Sequence, residues 1–105
     1  MKLNYVLGGE DGHTPIPEPN MTKWLAWFGK AERQVLRDEF PNGITVSTVF
    51  LGTDHGWGIA PPLLFETMIF PSDRYEYQTR CSTWKEAEAM HMRALAYLRE
   101  GASPE

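Results

Sequence analysis

The sequence predicts an α+β fold, a two-layer sandwich with a mainly antiparallel sheet of four or five strands and two amphipathic helices. Three observations carry that prediction. Residues 21–31 and 84–98 repeat apolar side chains at the helical period. Residues 44–51, 63–70 and 75–81 are either rich in β-branched and aromatic residues or alternate at period two. Pro41-Asn42-Gly43 is a hairpin signal directly before the first of those strands.

Taken in order, Leu3, Tyr5 and Leu7 alternate as a short first strand, closed by the turn Gly8-Gly9-Glu10-Asp11-Gly12. Thr14-Pro15-Ile16-Pro17 either pairs back as an edge or stays a loop, because its prolines lack the ladder donor. Asn20 is the expected N-cap of the first helix. Met21, Trp24, Leu25, Trp27, Phe28 and Ala31 share an arc of roughly 160°, read as its core face.

Residues 33–40 are ambiguous between helix extension and strand, and the hairpin signal that follows favours a strand. Tyr75, Tyr77, Thr79 and Cys81 alternate with charged and polar residues as a half-buried strand. Thr83-Trp84-Lys85-Glu86 fits a capping box, and Gly101 stops the last helix. Its apolar arc, from Trp84 through Ala87, Met90 and Ala94 to Leu98, holds one polar residue, His91. The expected order is β, α, β, β, β, β, α, with each helix on one face of the sheet. The whole chain, 1–105, reads as one domain: strand and turn 1–18, first helix 19–31, antiparallel strands 33–82, last helix 83–100, frayed tail 101–105.

Composition excludes several function classes. At 42% hydrophobic residues the chain has the material for a core and is not disordered in type. A net charge of −4 gives no basic footprint, so direct nucleic-acid binding is not expected. The single cysteine, Cys81, points to a reducing compartment, and the absence of a signal-peptide pattern or a long apolar run to a soluble, cytoplasmic protein. No P-loop, G-x-G-x-x-G, G-x-S-x-G or HExxH motif is present, and no cofactor is expected.

Four residues are weak catalytic candidates: Asp54, His55, Glu66 and His91. In the loop Thr53-Asp54-His55-Gly56-Trp57-Gly58, His55 would be a general base oriented by Asp54. The competing reading makes Asp54 a turn residue holding backbone amides, with Trp57 folded back as a plug. Glu66 interrupts an apolar strand and shares a face with Leu64, Met68 and Phe70 by period two. If that face is open it is a sticky surface for a dimer or partner; if it is closed, Glu66 must be paired or protonated. His91 is expected to be a buried, hydrogen-bonded histidine; a metal set joining it to Glu66 and the Asp54-His55 loop is conceivable, but no ligand spacing demands one and none is expected. Cys81 reads as a small buried residue rather than a catalytic thiol.

The block from Val46 to His55, with Gly56-Trp57-Gly58 and Pro61 to Phe70, resembles a family of small bacteriophage and prophage proteins of unassigned activity. The resemblance extends to Tyr5-Val6-Leu7, Trp24, Trp27, Phe28 and Arg33 at the front, and to Arg80, Thr83-Trp84, Glu86-Ala87 and His91 at the back. Two departures stand out: Ile59-Ala60 where the family has glycines, and Pro71-Ser72 where it has a Gly-Gly turn. The resemblance implies a phage setting, in the cytoplasm of an infected bacterium, and leaves the mechanism open. The leading expectation is an accessory protein that binds a host or phage protein without catalysis, an anti-defence (anti-CRISPR-like) inhibitor being its sharpest form. Its contact residues would be Asp54, His55, Trp57, Leu64, Glu66, Met68 and Phe70, with a homodimer expected through the last four. The alternatives are a small enzyme or ligand- or metal-binding protein built on Asp54, His55 and Glu66, and a virion or assembly component.

Overall fold

A computed structural model describes residues 3–100, so the tail expected at 101–105 and its Gly101 stop lie outside the described residues, as do Met1 and Lys2. Strands β1 (Tyr5–Gly8) and β2 (Thr14–Pro17) form a hairpin, and α1 (Met21–Phe28) follows. Strands β3 (Gln34–Glu39), β4 (Thr45–Phe50), β5 (Phe65–Phe70) and β6 (Gln78–Cys81) then form an antiparallel meander in chain order. A short helix, α2 (Ser72–Tyr75), sits between β5 and β6, and α3 (Trp84–Arg99) closes the chain. The class is α+β.

Local chemistry explains most boundaries. Gly43, at φ 88°, turns the chain between β3 and β4, while the Phe40 amide donates to the Ile44 carbonyl at 2.8 Å. Thr83 caps α3: its hydroxyl accepts from the Glu86 amide at 3.1 Å, and the Glu86 carboxylate accepts from the Thr83 amide at 3.1 Å. Asn20 caps α1 by accepting from the Lys23 amide.

One face of the meander lies under α3. Val46, Thr48 and Phe50 stand opposite Ile69, Thr67 and Phe65 on β5, and all six are buried. Ala87, Met90, His91 and Ala94 of α3 complete the interior. Its apolar residues fall into two clusters, one around Phe50, Phe65 and Met90, the other around Val46, Ile69 and Ala94. Thr48, Thr67 and His91 are buried polar residues on the same strands and helix.

Several expectations are corrected. The other face of the meander, with Ser47, Val49, Glu66 and Met68, is covered by none of the described helices, because α1 packs mainly on β1. Helix α1 is also shorter than residues 19–31, ending at the Gly29 C-cap. Met21 and Leu25, read as core, are each 56% exposed, since only one edge of this two-turn helix meets the rest of the protein. On that edge the Trp24 indole N–H lies 3.0 Å from the Tyr5 carbonyl and 3.1 Å from that of Gly52. Trp27 meets the Phe50 ring edge-on. Gly52, at φ 80°, has no room for a side chain: a Cβ there would stand 2.8 Å from the Phe28 ring. The strand read over Tyr75–Cys81 begins only at Gln78, because Ser72–Tyr75 coils into α2 and Glu76 takes a left-handed turn. Strand β2 does pair with β1, so the element order has one more strand and one more helix than expected.

Candidate functional site

The loop between β4 and β5 is anchored at its base and open at its tip. Asp54 is buried, and its Oδ1 accepts from the Gly56 amide at 2.7 Å and the Leu63 amide at 3.0 Å. The backbone adds three ties: the Asp54 amide to the Leu3 carbonyl, the His55 amide to the Leu63 carbonyl, and the Tyr5 amide to the Gly52 carbonyl. Beyond this base the chain turns outward. Trp57 adopts φ 58°, a left-handed conformation that a bulky residue rarely takes. Trp57 is 80% exposed and Ile59 is 73% exposed. Trp57 is therefore not a plug; Asp54 is the residue that holds the turn.

The strand residues singled out in the sequence separate. Leu64 precedes β5 and is packed with Phe50, Phe65, Ala87 and Met90, so it is removed from the face it was assigned to. Its backbone is bonded on both sides, to Leu51 and to Cys81, and its side chain is buried before the regular alternation starts. Glu66 and Met68 lie on the open face and Phe70 at its end. The Glu66 side chain is only 12% exposed and its carboxylate meets Arg80 Nε at 3.0 Å.

His91 anchors a different constellation, one that sequence reasoning missed. Its Nδ1 lies 2.7 Å from the Thr48 hydroxyl, which in turn meets the Thr67 hydroxyl, and its Nε2 lies 2.7 Å from Asp38 Oδ2. An ionised carboxylate only accepts, so Nε2 carries a hydrogen; in the neutral ring Nδ1 then accepts from Thr48. A hydroxyl, an imidazole and a carboxylate in series are the order of a nucleophile, its base and the base's orienting group. Thr48 and His91 are nevertheless fully buried, so the chain is sealed from any substrate and acts as an internal tie between α3, β3, β4 and β5. The signal available in the sequence was polar Thr48 and Thr67 at inward positions of apolar strands, plus His91 in an apolar arc; Asp38 carried no local signal.

Asp38 is half-exposed and lines a groove of about 510 Å³ between the β3–β4 hairpin and the end of α3. Phe40, Ile44, Leu95 and Leu98 supply its apolar walls. Asn42, Tyr75 and Arg99 supply the remaining lining.

The His91–Glu66–His55 set is not assembled: both His91 nitrogens are engaged by Thr48 and Asp38, and Glu66 pairs with Arg80. Among the described residues no group of three or more His, Cys, Asp or Glu is placed to hold a metal ion. Burial pushes the Cys81 thiol up to about 11, with Glu86 adding to the shift, so little of it is nucleophilic thiolate near neutral pH. No helix among the described residues is long and apolar enough to cross a membrane. No family model, curated protein or solved structure matches the chain.

Proposed function

We propose that this protein works by binding another protein, without chemistry of its own, through the loop that carries Trp57 and Ile59. The observation behind this reading is the exposure of those two large apolar residues, 80% and 73%, on a loop whose base Asp54 holds in place. Tryptophan is among the residues that most often dominate the energy of a protein interface, and a tethered loop loses less freedom on binding than a loose one. His55 lies between the anchor and the tip and belongs to the same contact surface. Thr48 and His91 of the serial arrangement are fully buried and Glu66 is held by Arg80, which favours binding over a catalytic use of these groups.

The setting follows from the sequence resemblance: a phage accessory protein in the bacterial cytoplasm whose partner is a host protein, with anti-defence inhibition as the specific form. The net charge of −4 favours a protein partner over direct contact with nucleic acid. A chain carrying both Trp57→Ala and Ile59→Ser tests the reading against the partner isolated from host lysate. We expect its thermal midpoint to fall by less than about 4 °C, the shift that accompanies roughly 1 kcal/mol in a domain of this size. Affinity measured by calorimetry should weaken at least about tenfold, or ~1.4 kcal/mol. Unchanged affinity in a folded variant would remove the loop from the function.

A further inference from the structure

The groove beside Asp38 is independent of the loop and has a chemistry of its own. Its size, about 510 Å³, lies within the roughly 300–1,000 Å³ range of small-ligand sites. Its walls combine one carboxylate and one guanidinium with a carboxamide and several large apolar side chains. Among the described residues no ion pair joins Asp38 to Arg99. Among the described residues Asp38 is bonded to His91 through Oδ2 alone and Arg99 has no ion pair, so Oδ1 and the guanidinium face the groove as a ligand would meet them.

The individual groups are placed for that role. Asp38 uses Oδ2 to accept from His91 Nε2. That bond fixes the carboxylate from inside the protein, and with 48% of the side chain exposed the group still faces outward. Asn42 uses Oδ1 to accept from the Ile44 amide at 3.2 Å, which leaves its Nδ2 hydrogens to donate. A cationic ligand alone would satisfy Asp38 but face Arg99, and an anionic one would do the reverse. A ligand carrying both charges on an apolar body matches the whole lining.

We propose that this groove binds a small zwitterion with a bulky apolar group, an α-amino acid with an aromatic or branched side chain being the simplest form. The ammonium meets Asp38, the carboxylate meets Arg99 and Asn42, and the side chain lies against Ile44, Leu95 and Leu98. Because Asp38 also holds His91, occupancy reaches the interior: an ammonium on the carboxylate withdraws electron density from the bond to His91 Nε2. Binding is therefore legible in the His91 ring without a probe on the surface.

Phenylalanine, phenethylamine and 3-phenylpropionate form the test series, since the last two each delete one charge. Titrations of the whole protein, followed by ¹⁵N shifts of the His91 ring, should give phenylalanine a Kd on the order of 1 mM or tighter. Phenethylamine and 3-phenylpropionate should bind at least about tenfold more weakly. Arg99→Gln, at an exposed position on the last turn of α3, should remove the advantage of phenylalanine over phenethylamine while leaving the fold intact. Asp38→Asn should remove its advantage over 3-phenylpropionate. No shift at tens of millimolar phenylalanine would overturn the proposal. So would equal binding of all three compounds, which would make the groove an unselective apolar cleft.

Discussion

His91 illustrates how one side chain is held at the level of single bonds. It has no exposure, yet both ring nitrogens have partners, and the partners come from β3 and β4 at sequence separations of 53 and 43 residues. A buried imidazole without them would forfeit its hydration for nothing. His91→Leu should therefore lower stability by about 1–3 kcal/mol, because the Thr48 hydroxyl is left buried with only Thr67 to bond. Thr48→Val in the His91→Leu background should cost less than Thr48→Val alone, since the second change removes a group already deprived of its partner. Urea denaturation of the four chains in this cycle supplies the check. Strictly additive losses would mean that the Thr48–His91 bond contributes nothing in solution. No local pattern in the sequence pairs Asp38 with His91; only the crossing of α3 over the sheet brings them together.

At the scale of elements, legibility followed the amount of local information. The capping box of α3, the β-branched run of β4 and the Pro41-Asn42-Gly43 turn each specify their structure within a few residues, and each forms where expected. Helix α2 spans only four residues, too few to display a period, and it breaks an alternation that reads cleanly as strand. The apolar arc of α1 is the pattern of a core helix, and its exposure depends on where the chain places it, which periodicity does not encode. Helix α3 also gathers the N-terminal hairpin. Its first residue, Trp84, stacks on His13 with ring centroids 3.6 Å apart and planes 2° apart, and meets Phe65 edge-on. Trp84→Ala should cost about 3 kcal/mol, at the low end for a tryptophan because the side chain is half-buried. It should also release the hairpin before the rest of the fold. Hydrogen exchange of the β1–β2 amides is then expected to quicken more than that of β4 and β5; uniform quickening would show that the stacking does not tether the hairpin.

For the molecule as a whole, the decisive asymmetry is a four-stranded sheet with α3 on one face and no described helix on the other. That open face is only partly polar. The Glu66–Arg80 pair and the Gln34 amide, which donates to Ser47 and to the Thr48 and Leu36 carbonyls, lie among Val49 and Met68, with Phe70 38% exposed at the end. The withdrawal of Leu64 into the core reduces the apolar area below what its sequence register implied. A reduced patch favours a reversible association over an obligate one, because small interfaces are weak and depend on a few central residues. Two copies meeting face to face would bury Met68 and Phe70 at a two-fold axis, the commonest symmetry of homodimers. Sedimentation velocity over a concentration series should accordingly reveal a monomer–dimer equilibrium. Met68→Lys places like charges at the centre of that interface, where the monomer only half-buries the side chain. The variant should stay folded and shift the equilibrium to monomer by at least about tenfold in Kd, roughly 1.4 kcal/mol. A wild-type chain that remains strictly monomeric at millimolar concentration would reduce this face to the solvated side of an antiparallel sheet, and the loop carrying Trp57 would then be the larger exposed apolar feature left to meet a partner.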